Sequence, residues 1–105
     1  MDIYQNNSTG ITTPQGRNCN EFFFDVKTDN RLRTYDLIVS FYEREDDALA
    51  VSIPNAQRVL SFDITTESTL KDCITNAFEN SPYQNGEETI DLSGATVIGS
   101  TNGIS

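Results

Sequence analysis

The segment 34–42, TYDLIVSFY, admits few readings other than a β-strand with one buried face. Leu37, Val39 and Phe41 alternate with Ile38, Ser40 and Tyr42, and β-branched and aromatic residues of this kind suit a pleated, half-buried surface. Upstream, EFFFDVK repeats the pattern with Phe22, Phe24 and Val26 on one face, and TDNRLR between the two segments reads as their turn. Downstream, ALAVSI places Leu49, Val51 and Ile53 on one face. An antiparallel hairpin with Glu43–Asp47 as its loop would set Phe41 against Leu49, Val39 against Val51 and Leu37 against Ile53. A one-residue slip would set apolar against polar positions. PNAQ (54–57) then reads as a further turn, across which Leu60, Phe62 and Ile64 extend the same face. The pattern predicts a β-meander, with Val51 and Phe62 buried.

Such a face needs a cover, and TTESTLKDCITNAFENSP supplies one. Leu70, Cys73, Ile74, Ala77 and Phe78 recur at helical spacing, Thr69 and Asp72 fit a capping box with Ser68 as an alternative cap, and Ser81-Pro82 stops the helix. YQNGEE reads as a loop with a tight Asn85-Gly86 turn, and TIDLSGATVIG as two short strands about Ser93-Gly94. The expected fold class is α+β: an antiparallel β-meander of four to six strands with one amphipathic helix packed on one face. Its 105 residues suit one domain, 1–105, with a polar N-terminal arm or loop at 1–20, a folded core at 21–99 and a polar tail at 100–105. A chain of this size buries roughly two-thirds of the surface it exposes when unfolded, enough for one core and little cavity.

Much chemistry is excluded by residue type. With no histidine, neither a Ser-His-Asp nor a Cys-His arrangement can form, nor a Cys/His zinc site. Cys19 and Cys73 are far apart in sequence and read as free thiols, Cys73 on the buried helix stripe. Arg17 near Cys19 could lower that thiol's pKa, a weak case for a reactive cysteine. Glu45, Asp46 and Asp47 supply oxygen ligands, but Arg44 lies among them and no Asp-x-Asp-x-Asp-Gly loop exists, so no metal is expected. No phosphate-binding glycine loop occurs, and no cofactor is expected. The Arg31 and Arg33 pair, in NRLR, fits a hairpin tip. No apolar run is long enough to span a membrane, and MDIYQNNSTG has neither the basic nor the apolar region of a secretory signal, so the expected compartment is the cytoplasm.

Charge is the remaining signal. The net charge is −9, residues 1–33 balance to zero, and the excess falls in 34–105. Such a surface repels nucleic acid and anionic membranes and attracts basic proteins, although solubility alone is a competing explanation. The candidate contact residues are Glu43, Glu45, Asp46 and Asp47 in the charged run, Asp72, Asn76 and Glu79 on the outer side of the helix, and Glu87 and Glu88 beyond it. Together they could build an extended acidic surface that imitates nucleic-acid phosphates.

The helix segment ESTLKDCITNAFENS, with Glu67, Ser68, Ile74, Ala77, Phe78 and Asn80, followed by the acidic YQNGEETIDL, resembles the corresponding part of small phage anti-CRISPR proteins that inhibit Cas9. The resemblance implies a short antiparallel sheet beside the helix. It also implies an acidic surface that occupies the groove in which Cas9 reads the DNA motif next to its target. The Phe-rich strand at 21–27 and the polar N-terminus depart from that pattern. The expected function is therefore a non-enzymatic inhibitor or binding protein that blocks a basic, nucleic-acid-handling partner such as a nuclease or a Cas effector. Direct nucleic-acid or membrane binding is not expected. A toxin-immunity protein fits equally. The alternatives are an assembly subunit such as a virion component and, third, a small carboxylate-dependent enzyme.

Overall fold

A computed structural model describes residues 2–6, 10–63 and 69–100. The described residues are mostly antiparallel sheet with two helices, an α+β arrangement. In order, the elements are β1 (Asp2–Gln5), β2 (Ile11–Thr12), β3 (Asn18–Cys19), β4 (Glu21–Asp29), β5 (Thr34–Tyr42), α1 (Glu45–Leu49), β6 (Ala56–Asp63), α2 (Leu70–Glu79), β7 (Tyr83–Asn85), β8 (Glu88–Ile90) and β9 (Thr96–Ser100). One sheet runs β6-β5-β4-β1-β9 and the other β3-β2-β8-β7. Among the described residues no helix is long and apolar enough to cross a membrane.

The two best strand patterns form the centre of the larger sheet. β4 and β5 pair along their whole lengths, from Glu21↔Tyr42 to Asp29↔Thr34. Alternation sends Phe22, Phe24, Leu37, Val39 and Phe41 to one face, all buried in a single cluster. Between the strands, the Asp29 carboxylate accepts the N–H groups of Arg31 (2.9 Å) and Leu32 (3.2 Å), and Arg33 closes the turn at φ 55°. An aspartate binding its own downstream backbone is ordinary turn chemistry.

The expected strand ALAVSI does not form. Glu45–Leu49 is a short helix, and β5 pairs directly with β6. Phe41 stands opposite Ala56, Val39 opposite Arg58 and Leu37 opposite Leu60. The predicted partners fare otherwise: Leu49 is exposed, Ile53 is 92% exposed, and Val51 is half-buried at φ 49°. Two signals competed here, and the helical one prevailed. Three acids followed by Ala48 and Leu49 suit a helical first turn, since carboxylates are favoured near a helix N-terminus and Ala and Leu are good helix formers. PNAQ correspondingly ends the loop, with the Asn55 N–H donating to the Phe41 carbonyl (2.9 Å), rather than joining two strands. Leu60 and Phe62 do lie on the face of Leu37, but on an edge strand, so Phe62 is half-buried. Ile64 lies outside the described residues.

The N-terminal segment also departs from expectation. Instead of a loose arm, it supplies β1, an inner strand between β4 and β9, and half of the second sheet. Ile3 is fully buried, Tyr4 pairs with Phe22, and the side-chain amide of Gln5 donates to the buried Glu21 (3.0 Å). Buried Asn6 donates from its side chain to the Asp91 carbonyl, tying the two ends of the chain together. Polar composition hid this segment because each of its short strands buries only one or two apolar side chains, Ile3, Ile11 and Cys19.

Helix α2 stands as expected. The Thr69 hydroxyl accepts the Asp72 N–H (3.2 Å), and the Asp72 carboxylate accepts the Thr69 N–H (3.3 Å), completing the capping box. Cys73 and Ala77 are buried, with Ile74 and Phe78 packed against the same cluster. The Leu70 side chain, Glu67, Ser68 and the tail at 101–105 lie outside the described residues. The Asn85-Gly86 turn joins β7 to β8, Gly86 at φ 66°. Two short strands flank Ser93-Gly94 as expected, and they belong to different sheets: β8 pairs with β2 and β7, whereas β9 crosses to β1 in the larger sheet.

Two layers thus cover the larger sheet. On the face of Phe22 lie α2 and, from the second sheet and its flank, Ile11, Cys19, Ile90 and Leu92. On the opposite face, α1 seats Ala48 against Ile3, Phe23 and Tyr42.

Candidate functional site

The candidate acidic residues separate into groups. Glu43 follows β5, and Glu45, Asp46 and Asp47 occupy the first turn of α1. Glu45 and Asp46 are exposed and Asp47 is half-buried, and none of the three makes an ion pair among the described residues. Their backbone is held firmly. Ala48 is buried, the Ser52 N–H donates to the Asp47 carbonyl (3.0 Å), and the Tyr42 hydroxyl donates to the Ser52 carbonyl (2.8 Å). Burial, and secondarily the nearby Asp47 charge, pushes the Tyr42 hydroxyl pKa up.

Asp72, Asn76 and Glu79 lie on α2, across the sheet from α1, because alternate residues of β4 and β5 face the two helices. These two acidic groups therefore do not share one face. Asp72 is engaged in the capping box, while Asn76 and Glu79 are exposed. Glu87 is exposed at the β7–β8 turn. Glu88 is occupied internally. Arg58 forks onto it, with Nε donating to Oε2 (2.9 Å) and Nη2 donating to Oε1. Those hydrogen bonds from Arg58 hold the Glu88 carboxyl below its ordinary range.

A second locus lies where the two sheets meet. An open groove of about 460 Å³ is lined by Thr13, Gln15 and Arg17 from the β2–β3 turn, Asn55, Ala56 and Arg58 at the start of β6, and Glu88 on β8. Glu43 reaches it from the side, its carboxylate 3.5 Å from Arg17 Nε. Arg17 and Arg58 meet only through the contact of the two sheets, so no local motif could have announced the groove.

Cys19 borders the same charges, and the reactive-cysteine reading does not hold. Burial is the main cause, aided by Glu43 and Glu21 and only partly opposed by Arg17 and Arg58, that raises its pKa to about 11. Cys73 is also raised, by burial and then by Asp72. Both thiols are free and buried. Since the thiolate is the reactive form, both should label slowly with a maleimide near neutral pH in the folded protein and rapidly in urea. Mass spectrometry of a labelling time course reads each rate, and fast modification of either cysteine in the folded chain would contradict this packing. Among the described residues no His/Cys/Asp/Glu group is arranged to hold a metal ion.

No protein-family model, curated protein or solved structure matches this chain.

Proposed function

We propose that this chain is a small, non-enzymatic acidic protein that blocks a basic, nucleic-acid-handling partner, with α1 and Glu43 as the centre of contact. An inhibitor of a Cas effector and an immunity protein for a toxic nuclease are two forms of that role. The observation that supports it most is the placement of Glu45, Asp46 and Asp47. They carry no ion pair among the described residues, yet they stand on a helix pinned to the core through Ala48. Fixed charges pair with a partner's Lys or Arg at less entropic cost than charges on a mobile loop. Glu79 and Glu87 add to the long-range field and Asn76 offers a neutral hydrogen-bonding group, while Asp72 and Glu88 are committed to contacts within the chain.

The test starts with a partner captured from a host lysate on the immobilised chain. The triple variant Glu45→Gln, Asp46→Asn, Asp47→Asn then enters a kinetic binding assay. Folding stability should change by no more than about 1 kcal/mol, the upper end of the contribution of charges to a helix N-terminus. The association rate should fall roughly tenfold at low salt, and its salt dependence should flatten. Nucleic acid should compete with the wild-type chain for the partner. An unchanged association rate, or a partner that holds nucleic acid and this chain together, would overturn the reading.

One feature favours a second reading, an assembly subunit. β6 is an eight-residue edge strand paired to β5 without a bulge, and Val59 on it is 58% exposed. An open, regular edge is a template for another strand. Light scattering that shows a concentration-dependent oligomer would shift the assignment to that role.

A further inference from the structure

We propose that the groove between the two sheets binds a small molecule through a carboxylate or phosphate group, with Arg17 as the principal anchor and Glu43 as a built-in competitor for it. This proposal shares Glu43 with the acidic contact surface but does not rest on it, because its anchor is Arg17 and its test uses no protein partner. Arg58 spends three of its five N–H groups, two on Glu88 and one from Nη1 to the Gln57 carbonyl (2.7 Å), leaving two. Arg17 approaches only Glu43, at 3.5 Å from Nε, so its terminal nitrogens are uncommitted among the described residues. The Asn55 Oδ1 accepts the Glu43 N–H (3.1 Å), which leaves its amide nitrogen to donate. Thr13 Oγ1 accepts the Arg17 N–H (3.2 Å), which leaves the hydroxyl proton. The one carboxylate in the lining, Glu88, has both oxygens occupied by Arg58. With the Gln15 amide, the groove offers donors from five side chains against two free acceptors, the Gln15 carbonyl and the second Glu43 oxygen at its side, and that excess of donors fits an oxyanion.

Size and rigidity agree. About 460 Å³ lies within the usual range of small-molecule sites. Arg17 ends a closed turn, in which the Thr13 N–H donates to the Arg17 carbonyl (3.1 Å) and the Gly16 N–H to the Thr13 carbonyl (2.9 Å). The overall charge of −9 does not forbid an anion here, because exposed charges beyond a Debye length of about 8 Å are largely screened at physiological salt. The Arg17–Glu43 contact is long and its Arg17 side chain is 62% exposed, so it belongs to the weak class of surface pairs that an incoming anion can replace.

The experiment is a ¹⁵N NMR titration of the full chain that follows the side-chain signals of Arg17 Nε and of the Asn55 and Gln15 amides. Inorganic phosphate is added in one series and succinate in another, with sodium chloride holding ionic strength constant. Saturable shifts are expected, and the series that saturates at lower concentration identifies phosphate or carboxylate as the preferred group. Arg17→Gln should weaken binding about tenfold, as expected for loss of a charge-assisted hydrogen bond. Glu43→Gln should strengthen it about three- to fivefold by removing an exposed competing pair. Arg31→Gln, at the distant β4–β5 turn, should change nothing. The amide spectrum of each variant shows directly that it is folded. Shifts that rise without a plateau in both series, or Arg17→Gln and Glu43→Gln titrations that match the wild type, would overturn the proposal.

Discussion

Replacing Phe22 by alanine should cost about 3–5 kcal/mol of folding stability, the range for truncating a buried phenylalanine. The ring is fully buried, and it packs among four others. Tyr4 stacks on it at 5.5 Å, Phe24 meets it edge-on at 5.6 Å, Phe41 lies at 5.9 Å, and Phe78 of α2 approaches at 6.5 Å. Phe22 therefore joins β1, β4, β5 and α2, and its loss opens a void that none of these elements can close without moving another. Domains of this kind have a total stability of about 5–15 kcal/mol, so the variant would be marginal. Urea denaturation measures the loss as a lower midpoint at similar slope. Ile53→Ala is the matched control, since Ile53 is 92% exposed and should change stability by less than about 0.5 kcal/mol. If Ile53 instead faced the core, as the alternation in ALAVSI suggests, its truncation would cost well over that amount. Equal losses at both positions would refute the observed pairing of β5 with β6.

That contrast marks where the sequence was legible. The β4–β5 ladder and α2 could be read because several local signals coincide there. Alternating aromatics and a turn closed by Asp29 agree on the ladder, and a capping box and an apolar stripe agree on the helix. The segment 43–55 is ambiguous in sequence because two periods overlap in it. Leu49, Val51 and Ile53 alternate as in a strand, but Glu45–Leu49 also suits a helical turn, and only the direct pairing of Phe41 with Ala56 decides between them. The N-terminal strands were hidden for another reason. β1 has four residues and β2 and β3 two each, too few for a period to show, and β1 and β2 each take one partner from far away in the chain, β9 and β8.

The candidate site was legible in the same uneven way. The charged run at Glu43–Asp47 stood out as composition, and its exposure follows from its place outside the two-sided sheet. The division of the remaining acids between opposite faces could not be read, because it depends on which face each helix covers. The groove was invisible for the same reason: Arg17 and Glu88 come from one sheet, Arg58 from the other.

The joint between the two sheets makes the position of Gly10 critical, and Gly10→Ala should destabilise the fold by about 1–3 kcal/mol, the usual cost of overpacking. Gly10 is buried just before β2, and its carbonyl accepts the Asp91 N–H at 2.6 Å. A Cβ there would stand 2.6 Å from the Cys19 carbonyl oxygen and 3.1 Å from the Asn20 Cα. Both are backbone atoms, where β3 turns into β4, and neither can rotate aside. Gly99 offers a comparison at the same distance. Its added Cβ would meet Leu49 Cδ2 at 2.6 Å, but that methyl ends a flexible side chain on the exposed Leu49. Gly99→Ala should therefore change stability by less than about 0.5 kcal/mol, as for most surface substitutions. Urea midpoints rank the two variants. Maleimide labelling adds a local readout, because a displaced β3 uncovers Cys19 and should speed its modification in Gly10→Ala while Cys73, held by α2, keeps its slow rate. If Gly10→Ala is as stable as the wild type and labels no faster at Cys19, then β2 and β3 do not approach as closely as described, and the turn that carries Arg17 is less firmly placed than the groove requires.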